Sequence, residues 1–324
     1  MEFEIPQFVP YWDQREKNAV ADVLDGDFLL EHKVTREFEK KFAEFVNARY
    51  CVTCTSGTVA LYLALMTKKY DTIKIPSYQG LFAANALVMA GGKPEIVDVG
   101  PNGSVQEKVE SLTVHANGRL GNVFEIEDCA QAINHHTHNK ISCYSFASTK
   151  HITTLGQGGA ICCDDRETFD LLTEIKDQGR TDRQNLKAPS DHFEKWGTNF
   201  KFTEAQAAFG LVQLERLAKR MERLDKIWQI YHDVLSKYVD FQYEIPRWYI
   251  DIFVDNPDQI VNNSKKYGFV TKRVHKPIHM QPLYFNSGCK TSEKIYNHGV
   301  FLPSTTNLTD SEVLKVADGI KKLL

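Results

Sequence analysis

Between Cys51 and Cys163 the chain changes its periodicity again and again. Short runs rich in Val, Ile, Phe and Tyr alternate with small-residue helical stretches, and Gly, Pro, Ser or Asn marks most of the changes. Cys51 to Cys54 reads as a buried strand, followed by the turn Thr55-Ser56-Gly57-Thr58 and the helix VALYLALM. TIKIPS (72–77) and PEIVDV (94–99) read as strands around the helix LFAANALVMAG (81–91). SLTVHA (111–116), VFEIEDC (123–129), ISCYSFA (141–147) and GGAICC (158–163) are further β-rich runs. ETFDLLTEIKDQG (167–179) is a helix that ends at a glycine. Strands that alternate with helices in this way build one large α/β layer domain with a mostly parallel sheet.

The flanks carry different textures. Apolar spacing gives helices over Asp13 to Leu24 and over Thr35 to Phe45, with Thr35 as N-cap. A single long helix is expected from Thr203 to about Tyr238, first small-residue and packed, then charged and running along the surface. After it, RWYIDIFV (247–254) and FVTKRV (269–274) read as strands around the helix DQIVNNSKKYG. TDSEVLKVADGIKKLL (309–324) closes the chain as a capped helix. With 324 residues the chain exceeds what one core usually serves. The expected division is a large α/β domain over 1–215 and a connecting helix with a small α+β domain over 216–324.

A formal charge of -3 gives no global reason to bind nucleic acid or an anionic membrane. No apolar run approaches the roughly 20 residues that span a bilayer, and the first residues lack the pattern of a signal peptide. The expected location is cytoplasmic. Seven scattered cysteines, including the C-x-x-C of Cys51 and Cys54, read as buried free thiols. His135, His136 and His138 in HHTHN lack a carboxylate at a ligand-like offset, so they read as an exposed loop, and no metal site is expected.

Four local features converge on one chemistry. Ser56-Gly57-Thr58, between a strand and a helix, offers free N–H groups and hydroxyls to a phosphate, although an ordinary helix cap looks the same locally. Glu127-Asp128 ends an apolar strand, where α/β sheets place ligands, and Gln131 follows. Lys150 follows YSFAST, with Tyr144, Phe146 and Ile152 to desolvate its amine and Ser145 five residues upstream. Asn199 and Lys201 precede a helix whose packing does not explain them.

In the same order, SGTVALYLALM, IPSYQGLFAANALVMAGGKPEIVDV, EDCAQA, YSFASTKHITTLGQGGAICCDD and NFKFTEAQAAFGLVQLERL resemble the DegT/StrS family of sugar aminotransferases. IPQFVPYWDQREKNAVADVLDGDFL, VHKPIHMQPLYF and FLPSTTNLTDSEVLKVADGI extend the resemblance over nearly the whole chain. The resemblance implies the fold type I of pyridoxal-phosphate enzymes and pyridoxal 5'-phosphate as cofactor. It also implies transfer of an amino group from glutamate or glutamine to a keto group on a nucleotide-linked deoxysugar, with C4 of an NDP-4-keto-6-deoxyhexose expected. Lys150 resembles the lysine that bonds to the cofactor and shuttles the proton, and Asp128 the partner of the pyridine nitrogen. Gln131 matches a glutamine beside the 3-hydroxyl. Gly57, Thr58 and Ser145 match phosphate contacts. Asn199 matches an asparagine that reaches the phosphate of a second subunit, which implies a homodimer with shared active sites.

Two departures stand out. Pro76-Ser77-Tyr78-Gln79-Gly80 puts Gly80 where the family stacks an aromatic ring on the cofactor, with Tyr78 or Phe82 as substitutes. The connection from His115-Ala116-Asn117-Gly118 to Val123 is shorter than the dozen or so residues of a usual parallel crossover. Either a bare loop makes it, or a surface helix is missing. Two further functions stay open: a sugar 3-dehydratase, whose family members carry histidine where Lys150 stands, and a catalytically idle binding relative.

Overall fold

The computed structural model describes residues 4–101, 103, 105, 112–181, 193, 195–241, 248–285 and 288–324. Two helices open the chain: α1 (Gln14–Leu24), whose Asp13 and Glu16 form a capping box, and α2 (Lys33–Val46). The alternating region follows as β1 (Tyr50–Cys54), α3 (Gly57–Leu65), β2 (Thr72–Pro76), α4 (Leu81–Met89) and β3 (Lys93–Val97). It continues with β4 (Leu112–Val114), β5 (Ile126–Asp128), β6 (Ile141–Ser145), β7 (Gly159–Cys163) and α5 (Arg166–Lys176). Ser111 and Arg247, at the starts of two expected strands, lie outside the described residues.

Strands β1, β7, β6, β5 and β4 hydrogen-bond in that order, and β2 pairs with β3 beside β4. The pairs β2–β3, β4–β5 and β5–β6 are parallel, whereas β7 runs antiparallel to both of its neighbours. The expected α/β domain with its mostly parallel sheet is therefore present, and β1, β5 and β6 end at the same edge. Helices α3 and α4 are apolar all round: α3 lies under other elements with Ala60 to Leu65 buried, whereas α4 buries Ala83, Ala84, Ala86 and Leu87 and leaves Phe82, Val88 and Met89 exposed.

The short connection between β4 and β5 is a loop. Its only described helical geometry is the 3₁₀ turn Ala116–Gly118, where Asn117 (φ +54) reverses the chain. The strands nonetheless stay paired, Val114 opposite Asp128.

After α5 come α6 (Glu204–Glu215) and α7 (Leu217–Leu235), then β8 (Asp251–Phe253), α8 (Pro257–Asn263), β9 (Lys272–Arg273), α9 (Lys290–His298), β10 (Gly299–Phe301) and α10 (Asp310–Leu323). Among them α9 and β10 have no counterpart in the sequence reading. β10 is the centre of the three-stranded sheet β8–β10–β9, antiparallel on both sides. Leu224, Ile227, Tyr231 and Leu235 of α7 pack with Val313, Val316 and Ile320 of α10 in a core that also takes in Ile5. A separate core under α3 and α4 serves the large sheet.

Three expectations change. The long helix is two, because the amide of Arg216 tightens onto Gln213 and its side chain turns back to Asp13 (2.6 Å) and Glu16 (3.2 Å). Its charged second half is not purely a surface helix, since α7 buries one face. Thr35 does not cap α2, whose N-cap is His32. The buried carboxylate of Glu204 does that work from α6, accepting N–H bonds from His32 (2.8 Å), Val34 (2.8 Å) and Thr35 (2.9 Å), and the Thr35 hydroxyl at 2.7 Å. A carboxylate satisfied by four donors also fixes how α2 meets α6. Glu204→Ala is expected to cost about 3 kcal/mol of unfolding free energy in urea, with Glu204→Gln closer to wild type.

Candidate active site

Parallel strands carry their ligand groups at the carboxyl ends. Here β5 ends on Asp128 and β6 on Ser145, while β1 leads through Ser56 into α3. Lys150 lies in the turn between β6 and β7, where its amide donates to Ala147 O at 2.9 Å. Sequence positions 56 to 150 are thereby drawn to one edge of the sheet.

The first turn of α3 faces Ser145. A methyl group added at Gly57 would come within 2.6 Å of the Ser145 Cβ and 3.1 Å of its Oγ, so only glycine lets the helix N-terminus approach the strand this closely. Ser56 caps the helix through Val59 N–H (3.2 Å). The first-turn amides, including those of Gly57 and Thr58, have no carbonyl partner within the helix. Together with the Ser145 hydroxyl they form a donor set for a phosphate.

Asp128 is buried and accepts one hydrogen bond, from Ala130 N–H at 2.9 Å. Burial raises its pKa above the usual carboxylate value, and the charge of Lys150 opposes that rise. Lys150 itself is half-buried. Desolvation lowers its pKa to about 8, against the pull of Asp128 and with a push from the cation Lys272. Neighbouring Glu127 points elsewhere: burial raises its pKa, but hydrogen bonds from His115 (2.8 Å) and His135, with Ser142, outweigh it and hold the group well below the carboxylate range. Of the adjacent acids, Asp128 alone faces the lysine.

Gln131 is engaged more heavily than its sequence context implies. Its carbonyl accepts Asn117 N–H (2.6 Å) and its amide donates to Gln79, which donates in turn to Asn117 Oδ1 at 2.9 Å. Asn117 reaches Asp251 of β8 at 2.7 Å, and Arg119 forms an ion pair with the same carboxylate. Asn199 is exposed, its Oδ1 facing Lys201 N at 3.4 Å within its own turn. Lys201 is held by Asp177 at 2.6 Å.

At Gly80 the reason for the missing ring is steric. A Cβ there would stand 2.1 Å from Pro76 O. Neither substitute takes its place in an open site: Tyr78 is fully buried in a cluster with Ala116 and Trp248, and Phe82 is 56% exposed on α4. Aromatic surface comes instead from the C-terminal half. Lys150 Nζ lies 4.3 Å from the Trp248 ring centroid, and Trp248 stacks on Tyr249 at 3.7 Å. The Trp248 indole N–H donates to Thr149 O (2.9 Å). Trp248, Tyr249 and Lys272 are absent from the sequence-based site because they sit in strand-like runs about a hundred residues from Lys150.

All seven cysteines are free and buried, and burial pushes the Cys54 thiol up to about 12, as inert core thiols require. HHTHN departs from expectation. His136 is wholly buried, and Asp164 brings the missing carboxylate, 3.3 Å from His136 and 3.1 Å from His138.

A carboxylate beside a desolvated lysine, with a phosphate cradle on the same sheet edge, defines a site for a pyridine-ring cofactor phosphate. The DegT/DnrJ/EryC1/StrS aminotransferase family model matches residues 10–113 and 114–321, and the chain belongs to that family. It is 27% identical to GDP-perosamine synthase of Escherichia coli O157:H7 over 366 aligned positions, which cover 98% of each chain. Identity to dTDP-4-dehydro-2,3,6-trideoxy-D-glucose 4-aminotransferase of Saccharopolyspora spinosa is 25%, over 97% of this chain and 95% of the relative. The fold matches Helicobacter pylori PseC, an aminotransferase involved in pseudoaminic acid biosynthesis, with a TM-score of 0.88 at 21% identity over 99% of both chains. The chain is accordingly an aminotransferase-family enzyme of the pyridoxal-phosphate fold type I, and its cofactor is pyridoxal 5'-phosphate. The residues fit that group, since Gly57 leaves the room a phosphate cradle needs and buried Asp128 makes no ion pair among the described residues, which leaves its carboxylate free to meet a cationic ring nitrogen.

Two expectations follow. In the cofactor-free chain, acylation of Lys150 read by peptide mass spectrometry should be half-maximal near pH 8. A lowered pKa means that about a tenth of the amine is neutral at pH 7, far more than for an ordinary lysine. Gly80→Ala should lower stability by about 2 kcal/mol or more in thermal or urea unfolding, because backbone has to move.

Proposed function

We propose that this enzyme moves an amino group from glutamate or glutamine to C4 of a nucleotide-linked 4-keto-6-deoxyhexose, with Lys150 as its proton-transfer residue. The observation that carries the reading is the half-buried Lys150 amine, brought to a pKa of about 8 beside the buried Asp128 carboxylate. An amine so placed accepts and returns a proton near neutral pH, which an ordinary lysine does poorly. The relatives support the sugar and the ring position: one is a GDP-perosamine synthase and another a 4-aminotransferase of a dTDP-linked 4-dehydro sugar.

Bound pyridoxal phosphate supplies the electron sink that makes the donor's α-proton removable. Everything else falls to side chains. Asp128 holds a positive charge on the ring nitrogen. Gly57, Thr58 and Ser145 would bind the phosphate, and Gln131 would lie on the side of the ring hydroxyl. Lys150 Nζ takes the proton from the donor's α-carbon and returns one on the far side of the transfer, then performs the reverse sequence with the sugar. Trp248 keeps water from the amine.

We further infer a homodimer. Asn199, exposed and bonded only within its own turn by its side chain among the described residues, suits contact with a partner's phosphate. The division of labour would be a cofactor domain over 1–215 and a covering domain over 216–324, in an enzyme that works in the cytoplasm. No helix among the described residues is long and apolar enough to cross a membrane. A retained Lys150 also separates this reading from the dehydratase one, which calls for histidine there.

Incubation of the loaded enzyme with glutamate or glutamine should convert its bound cofactor to the pyridoxamine form, and Lys150→Ala should slow this at least about a thousandfold. A mass-spectrometric screen of 3- and 4-keto nucleotide sugars should then show amination of a 4-keto compound. Failure of the wild type to convert with either donor would sink the assignment.

A further inference from the structure

Most cations withdrawn from solvent among the described residues meet a carboxylate, and Arg220 is satisfied by carbonyl oxygens of Tyr11, His151 and Gln213. Lys176 pairs with Glu31 (2.9 Å), Lys201 with Asp177 (2.6 Å), Arg216 with Asp13 (2.6 Å) and Arg273 with Asp258 (2.6 Å), while Arg119 pairs with Asp251. Lys272 does not. It is half-buried on β9, opposite Phe301, and no carboxylate lies within ion-pair distance of it among the described residues. Its neighbour Arg273, pointing to the other face of the strand, is the one with an acidic partner.

What Lys272 does meet is the aromatic wall of the site. Its Nζ lies 4.7 Å from the Tyr249 ring centroid and 5.6 Å from that of Phe301. Tyr249 stacks on Trp248 at 3.7 Å, and Trp248 carries Lys150 at 4.3 Å. Two ammonium groups therefore contact one pair of stacked rings, and neither makes an ion pair among the described residues. The charge of Lys272 reaches Lys150 and helps to lower its pKa, and burial lowers that of Lys272 as well. A cation–π contact compensates only part of the desolvation of an ammonium. Such an arrangement is costly unless an anion enters beside it.

We propose that Lys272 is the binding residue for the α-carboxylate of the amino donor. This rests on the aminotransferase reading above. The candidate anions differ in where they must lie. A donor's α-carboxylate is bonded to the very carbon whose proton Lys150 removes, so it cannot be more than a few ångströms from that amine. The diphosphate of a nucleotide sugar is attached across the pyranose ring from C4 and has no such constraint. The cofactor phosphate already has its own donors at Gly57, Thr58 and Ser145. Glutamate and glutamine share the α-carboxylate, so one lysine serves both donors.

The test uses the cofactor-loaded wild type and two variants at one position, one that removes the charge and one that keeps it. α-Methylglutamate has no α-proton to lose, and its binding is measured by titration calorimetry. Lys272→Gln should weaken that binding about 30-fold, and Lys272→Arg should restore most of it. In the donor half-reaction, wild type should favour glutamate over isoglutamine, whose α-carboxylate is an uncharged amide. Lys272→Gln should erase that preference by slowing glutamate far more than isoglutamine. Cofactor affinity by equilibrium dialysis and the thermal midpoint should stay at wild-type values, as should the KM for the keto sugar.

Several outcomes overturn the proposal: an equal loss for glutamate and isoglutamine, unchanged α-methylglutamate binding, or no binding of it to wild type. A selective loss of cofactor affinity, or of sugar affinity, would reassign Lys272 to a phosphate and overturn it too. If wild type binds α-methylglutamate but converts neither donor, the aminotransferase reading fails while the carboxylate site stands or falls on the calorimetry.

Discussion

Two opposite charges, Asp128 and Lys150, are taken out of water at the edge of one sheet, and much of the architecture serves that single cost. An isolated buried charge would neutralise itself by shifting its pKa. Both groups shift in that direction and stop short, because each feels the other. The balance leaves an amine that is basic enough to take a proton and neutral often enough to use. The end of β5 holds Asp128, the turn after β6 holds Lys150, the segment before β8 lays Trp248 against the amine, and α3 brings its N-terminus to the same edge.

The shortened connection between β4 and β5 has a second consequence. Having no helix of its own among the described residues, it bends through Asn117 and sends Asn117 and Arg119 to Asp251 on β8. The large sheet is thereby bolted to the small one by a buried ion pair. Such a pair adds little net stability, but either half left alone would be expensive, so it fixes the arrangement more than it strengthens it. The same bend engages Gln131 and Gln79, which fill the corner beside Gly80. Around Gly80 the chain carries this polar network, and the ring that meets Lys150 is Trp248, from the C-terminal half.

Much of this was legible in the sequence. The alternation of periods named the α/β sheet, and ordered motifs named the family and the candidate residues Gly57, Asp128, Ser145 and Lys150, which the fold brings to one edge. Errors fell where a distant residue overrides a local signal. Thr35 has the chemistry of a cap, but Glu204 reaches the helix first. One helical pattern ran unbroken past Arg216, whose side chain is claimed by Asp13 and Glu16. HHTHN showed no carboxylate nearby, since Asp164 arrives from the end of β7.

By itself, the sequence determined the period of each element and the presence of a lysine, an acid and a glycine-hydroxyl turn in the order this chemistry uses, because those depend on neighbours along the chain. Only the tertiary structure decided how far the pKa of Lys150 falls, which of Glu127 and Asp128 faces it, why no ring fits at Gly80, and that Lys272 meets Tyr249 with no ion-pair partner among the described residues. These are set by desolvation and by charges distant in sequence, and neither quantity exists until the chain is folded.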